Sequence, residues 1–354
     1  MKKIKNMKNK IILIISIISI VSVFSLVRVN AAESTVSLEA GSSSLKVERH
    51  VNNVTDDVNN TFTYTITADR SNPALVEGLP STMSIVFDKV SPSKDGIAVV
   101  ESDLDLSKLT FSALGDYKFT IAETESSNDK VYPIDSSIYT FYVTVRNEVD
   151  TDNIPTGNLV ATLLTGATKD GSLTKEDIVF ENKALTHLTI TKNVSGDMAN
   201  KEEYFKFKVT ITGESIKDEE YKITGQDSSV SYDGTTINTS TNFKAGQDNY
   251  IYLKHGQTVT IGLDGDNNQL QSGVTYTIVE EDASSYNTYI NSNSKNEKTL
   301  STTLSNDLAK NAVTYLNNYE SSTLTGMLVN IAPFMILILS SIVCFVVINK
   351  KVRI

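Results

Sequence analysis

The chain has 354 residues, with 32 bases against 42 acids, one cysteine and no tryptophan. Nine of the bases (Lys2, Lys3, Lys5, Lys8, Lys10, Arg28, Lys350, Lys351, Arg353) sit in the two ends and every acid lies between, which leaves the middle with 23 bases and a net charge of −19. So acidic a surface argues against nucleic acid or anionic lipid as a partner. The sole cysteine, Cys344, lies in an apolar run near the C-terminus, so the middle has no disulfide.

In chain order, five lysines within the first ten residues precede an apolar run from Ile11 to about Val27, then Val29, Ala31 and Ala32. That layout predicts a secretory signal peptide over residues 1–31, cut after Ala31, with Ala32 as the alternative; an uncleaved anchor is the competing reading. The next 290 or so residues are rich in Thr, Val, Ile, Tyr and Ser. Short alternating runs mark strands at Thr61 to Ile66, Tyr117 to Ile121, Tyr139 to Val145, Phe205 to Ile211, Thr258 to Leu263 and Thr275 to Val279. Asp233-Gly234 between two such runs predicts a tight hairpin. Met327 to Ile348 is apolar and uncharged, long enough to cross a hydrocarbon core of roughly 30 Å. Lys350, Lys351 and Arg353 follow it, a basic cytoplasmic tail over 349–354 by the positive-inside rule. The expected fold class is all-β: two tandem immunoglobulin-like β-sandwich domains, at 32–185 and 186–320, flanked by the N-terminal signal peptide and a C-terminal transmembrane helix.

The two domains read as copies of one unit. Leu45-Lys-Val-Glu-Arg-His-Val51 matches Leu188-Thr-Ile-Thr-Lys-Asn-Val194, the Tyr117–Glu123 run matches Tyr276–Glu280, and Ile178-Val-Phe-Glu-Asn182 matches Val313-Thr-Tyr-Leu-Asn317. The join is short and lacks linker composition, so stiffly stacked domains are expected. Period-two alternation aims Lys192, Glu280 and Asn317 with the apolar set of their strands, although each alone reads as a strand-end residue leaning into solvent. Buried singly each is costly; together they satisfy one another. A desolvated lysine loses its proton and becomes a nucleophile. Attack on the Asn317 amide releases ammonia and leaves a Lys–Asn isopeptide bond, with Glu280 keeping its proton to polarise the amide and shuttling protons. The first copy has Glu123 and Asn182 but Arg49 in place of the lysine. Arginine stays protonated and is no nucleophile, so Arg49 is expected to pair with Glu123 and no bond is expected there. Lys46 faces the opposite side and is not a substitute.

With Leu188-Thr-Ile-Thr-Lys-Asn-Val-Ser-Gly196, Tyr276-Thr-Ile-Val-Glu-Glu281 and Val313-Thr-Tyr-Leu-Asn-Asn318, the middle of the chain resembles the major pilins of streptococcal pili, the isopeptide-linkage domain family. The resemblance implies a rod of immunoglobulin-like domains, with Lys192 as nucleophile, Asn317 as acceptor and Glu280 as catalytic acid. Ahead of the apolar span, Ser322-Thr323-Leu324-Thr325-Gly326 has the layout of a sortase sorting signal cleaved after Thr325, with Ser-Thr where the usual signal has Leu-Pro. A plain membrane-anchored protein is the competing reading. The resemblance also places a receiving amine before the last strand of the first domain. Lys175 sits there, outward by parity, with Lys169 as its rival. The expected partners are a sortase, identical subunits in a covalent polymer, cell-wall peptidoglycan and a host surface ligand. No cofactor and no metal is expected, and no enzymatic activity beyond self-linkage, since His50, His187 and His255 share no ligand spacing and Asp264 to Asn268 reads as a polar turn. A wall-anchored monomeric adhesin stalk and a basal or minor pilin are the alternatives to a shaft subunit, with the mature protein at the cell surface in every case.

Overall fold

Strict alternation of apolar and polar residues along short strands, with no second face to bury, pairs sheets face to face. The computed structural model describes residues 35–262, 269–293, 295–320 and 334–341, and two β-sandwiches make up nearly all of it. In the first, Ser44–Asn52 is the central strand of a three-stranded sheet, antiparallel to Ala98–Asp105 and parallel to the last strand, Ile178–Lys183. A seven-stranded sheet built around Val58–Ala68, Gly115–Ser126 and Ile138–Val149 faces it. Val47, Phe62, Tyr64, Phe119, Phe141 and Phe180 fill the space between, each fully buried.

The second domain repeats the plan. Its first strand, Leu188–Ser195, lies between the antiparallel Thr258–Ile261 and the parallel last strand Ala312–Asn318, within a six-stranded sheet. Phe205–Thr212 and Thr275–Glu280 pair in the facing four-stranded sheet. The internal repeat extends to register: Arg49 lies beside Phe180 as Lys192 lies beside Tyr315, and Val51 beside Asn182 as Val194 beside Asn317. First and last strands are therefore neighbours in both domains, which is what a link between them requires. The expected hairpin forms between Ser229–Tyr232 and Thr235–Asn238, with both turn residues at positive φ, Asp233 at 48° and Gly234 at 71°.

The join is a bonded surface. Ala184 is fully buried and Leu185–Thr186 pairs with Leu270–Gln271 of the second domain. Leu185 N donates to Val131 O at 2.8 Å, Asn53 Nδ2 to Gln271 Oε1 at 2.9 Å, and Lys310 pairs with Asp56. Asn306, 5% exposed, accepts from the backbone amides of Thr55 and Asp56 at 3.0 and 2.9 Å and donates to Tyr132 Oη at 3.0 Å.

The signal peptide and Ala31, the Ser322 to Gly326 motif, the basic tail and the Asp264 to Asn268 turn lie outside the described residues. Of the expected span at 327–348, residues 334–341 are described and helical. Among the described residues no helix is long and apolar enough to cross a membrane.

Asn306→Ala strips one acceptor from two backbone amides at once, a loss of about 1–3 kcal/mol per group left unsatisfied. The expected outcome is a loosened join, seen as faster limited proteolysis near residues 53–57 and a broader range of interdomain angles by small-angle scattering. Each domain's own unfolding transition should be retained.

Candidate isopeptide centre

Lys192 enters from the first strand of the second domain, Asn317 from the adjacent last strand and Glu280 from the facing sheet. Alternation turns all three inward, so that Lys192 and Asn317 are 0% exposed and Glu280 1%. In parallel register Lys192 is level with Tyr315 and Asn317 with Val194, so the lysine's long stem covers one diagonal step to reach the asparagine's head. Lys192 Nζ donates to Glu280 Oε1 at 2.7 Å, and Asn317 Nδ2 donates to the same oxygen at 2.8 Å. Nζ lies 4.3 Å from the Phe205 ring centre and 6.0 Å from that of Phe207, whose edge meets Tyr315 at 5.0 Å. Burial in this aromatic setting pulls the lysine's pKa down to about 8, with Glu280 acting in the opposite sense. Glu280 Oε2 and Asn317 Oδ1 have no hydrogen-bond partner among the described residues.

This arrangement suits one condensation. A neutral Nζ attacks Asn317 Cγ, the Nζ–Cγ bond forms, the Cγ–Nδ2 bond breaks and ammonia leaves. Glu280 Oε1 touches both the nitrogen that must lose a proton and the nitrogen that must gain one, so a single carboxyl oxygen serves as the shuttle. Asn317 presents its nitrogen to Glu280 and its carbonyl oxygen elsewhere, an arrangement that favours proton transfer over polarisation as the task of the carboxyl.

In the first domain Arg49 Nε meets Glu123 Oε2 at 3.0 Å, both side chains wholly buried, and the guanidinium lies 4.2 Å from the Phe62 ring centre. Arg49 Nη2 also donates to Pro133 O at 3.1 Å. Burial pushes the Glu123 carboxyl up to about 7, and Arg49 acts against that rise. Asn182 occupies the register position of Asn317 but is half-buried, and its amide donates to Ile134 O at 2.7 Å rather than meeting Glu123. Lys46 is an exposed partner of Glu48 and Glu101.

Lys175 is exposed on the short strand Lys175–Glu176, its Nζ donating to Thr165 O at 3.2 Å. Lys169 is half-buried, 5.5 Å from the Tyr139 ring centre. Among the described residues no cluster suited to a metal ion occurs. Sequence reasoning missed Phe205 and Phe207 as the lysine's setting, and missed Thr288. This residue is 0% exposed and directly opposite Asn317 on the strand Asn287–Ile290. The alternation of Thr288 and Ile290 was its signal, in a segment too short to stand out.

Fold and centre together define a class: tandem immunoglobulin-like sandwiches in which a buried Lys–Glu–Asn set bridges the terminal strands. Residues 45–184 match the model of the FctA family, described as the Spy0128-like isopeptide containing domain. Residues 186–319 match a family described only as a domain of unknown function, DUF7601, and it is this domain that holds the complete set. Among solved structures the chain is similar to the major pilin T-13 of Streptococcus pyogenes, with 20% identity, 82% of this chain and 100% of that one covered and a TM-score of 0.35. It is also similar to the major pilin T3.2 of that organism, at 17% identity, 79% and 99% coverage and a TM-score of 0.35. No curated protein sequence matches the chain.

Removing one member of a buried ion pair typically costs about 3–5 kcal/mol, whereas replacing both by apolar groups is often near neutral. Arg49→Met should therefore destabilise the first domain by that amount, and Arg49→Met with Glu123→Leu by far less. Denaturant unfolding of the two-domain protein, followed by hydrogen exchange at residues 44–52, checks both.

Proposed function

We propose that the chain is a shaft subunit of a covalent surface pilus, stiffened by a Lys192–Asn317 isopeptide bond that forms without an external enzyme. The observation that carries this reading is the single buried oxygen, Glu280 Oε1, shared by an amine and an amide from neighbouring terminal strands. The FctA match of the first domain supports it. So does the absence of cysteine from residues 32–320, where a protein exposed to shear and protease would otherwise place disulfides. The second domain, whose family carries no assigned function, is in this reading the self-linking one.

The polymer forms when a sortase cleaves after Thr325, holds that carbonyl as a thioester and passes it to the Lys175 amine of another subunit. One peptide bond is exchanged for one isopeptide bond. Exposure and a weakly held amine favour Lys175 over Lys169 for this step. The last subunit is transferred to cell-wall peptidoglycan, and the precursor is held in the membrane by residues 327–348 until cleavage. A host surface ligand, if one binds, meets a strongly acidic surface.

Intact mass of the two-domain protein should show loss of one ammonia, and digests should contain a Lys192–Asn317 linked peptide. Glu280→Ala should retain the ammonia. Arg49→Lys should not add a second loss, because Asn182 is turned to the Ile134 carbonyl. Two losses from the unsubstituted chain would show that the first domain links as well, against the geometry of Arg49 and Asn182.

Cell-wall extracts should show a ladder of detergent-resistant multimers that Lys175→Arg abolishes while leaving an exported, folded monomer. A ladder that survives the substitution unchanged removes Lys175 from the linkage and moves the test to Lys169. A single band in the unsubstituted strain would instead favour a monomeric stalk.

A further inference from the structure

An amide attacked by an amine passes through a tetrahedral intermediate whose oxygen carries negative charge, and that oxygen needs a donor. Glu280 does not supply one here. Its Oε1 is occupied by Lys192 Nζ and Asn317 Nδ2, the two nitrogens whose protons must move, and Asn317 Oδ1 faces away without a partner. The charge would therefore develop at an unsolvated oxygen in a residue that is 0% exposed.

Directly across from Asn317 in antiparallel register is Thr288. Cross-strand partners share a face, with Cβ atoms about 4.5–5.5 Å apart, and the burial of Thr288 and Ile290 between half-buried Asn287 and Tyr289 puts that face inward. Thr288 is 0% exposed and its Oγ1 also has no hydrogen-bond partner among the described residues. A buried hydroxyl left unmatched is costly to keep. The strand could carry valine here with the same shape. Two orphaned polar atoms, one a donor and one an acceptor that becomes an anion, thus sit on adjacent side chains of the reacting centre.

We propose that the Thr288 hydroxyl donates to Asn317 Oδ1 as the tetrahedral intermediate forms, making Thr288 a catalytic residue of the self-linking reaction. The role rests on the isopeptide reading of Lys192, Glu280 and Asn317. No atom of Thr288 is transferred: its hydrogen bond to Oδ1 forms by a turn of the side chain as charge grows there and weakens when the carbonyl re-forms and ammonia leaves.

The test is the rate of linkage in the full chain. Cell-free synthesis is stopped at a fixed time, and loss of ammonia is followed by intact mass in the unsubstituted chain, Thr288→Val and Thr288→Ser. Valine keeps the shape and removes the donor; serine keeps the donor. The expected result is a rate lowered about 100- to 1000-fold by valine, with serine within a few fold of threonine and protease resistance of the folded second domain equal in all three. Thr288→Ala repeats the test if valine perturbs folding. A valine or alanine variant that links at the unsubstituted rate overturns the role while leaving the isopeptide reading intact. A linked peptide joining residues 288 and 317 overturns it differently, by making Thr288 the nucleophile. No ammonia loss from the unsubstituted chain overturns this role together with the reading beneath it.

Discussion

The oxygen Glu280 Oε1, shared by Lys192 and Asn317, is the contact on which the second domain's centre depends. These side chains are at most 1% exposed, so their charges are settled chiefly among themselves. Holding an ammonium and a carboxylate away from water carries a penalty of several kcal/mol per ion, which their attraction only partly returns. The proposed condensation would remove that difficulty, because a buried amine and a buried primary amide would become one neutral secondary amide, the ammonia departing to solvent and the spare proton staying on the carboxyl. The burial that lowers the lysine's pKa would thus also favour the linked product in the proposed reaction. Folding comes first, since only the finished sandwich brings strands from residues 188 and 312 side by side and lowers a carboxyl onto them from the facing sheet.

The first domain shows what the same frame does with a different cation. Its parallel pairing of terminal strands and its inward glutamate are retained, and Arg49 occupies the lysine's place in register. A guanidinium cannot shed its proton at any pH of interest and presents several donors in a fixed plane. Arg49 uses them on Glu123, on Pro133 O and on its own neighbourhood, and lies against Phe62. The loop carrying Pro133 and Ile134 accepts from Asn182 as well, so amide and carboxylate are kept apart. One frame therefore holds a Lys–Glu–Asn set in one domain and a buried Arg–Glu ion pair in the other. The domain that matches the isopeptide family model is here the one with arginine in the lysine's place.

Much of this was legible in the sequence because β-strands alternate faces so rigidly. Once Leu188, Ile190 and Val194 define an apolar face, the position of Lys192 is settled, and the same holds for Glu280 behind Tyr276 and Ile278 and for Asn317 behind Val313 and Tyr315. Alternation says which face a residue is on but not what stands opposite. Thr288 escaped for that reason: it acquires meaning only through its pairing with Asn317, from a four-residue strand. The rotation of Asn182 toward Ile134 was equally hidden, since a loop nearly fifty residues upstream decides it. The join was legible only as a short connection. The contacts across it, such as Asn306 with Thr55 and Asp56, are ones that no local pattern encodes.

In the proposed polymer, tension enters a subunit at Thr325 and leaves at Lys175. From the C-terminal side it runs to Asn317 and crosses the isopeptide bond to Lys192. From there it follows the chain through the buried join at Ala184 and along the strand Ile178–Lys183 to Lys175. The residues between Lys192 and Asn317, nearly all of the second domain, are bypassed. So are those before Lys175, nearly all of the first, because Lys175 lies close ahead of the domain's last strand. A link between Arg49 and Asn182 would tie the loaded last strand to a first strand that lies off the path and so would shorten no loaded segment, whereas without the Lys192–Asn317 bond the whole second domain would lie in series with the force and could be drawn out. The asymmetry between the two domains then follows from where tension passes: the covalent bond is placed in the domain that would otherwise unravel, and the domain beside the load path is held by packing and a buried ion pair.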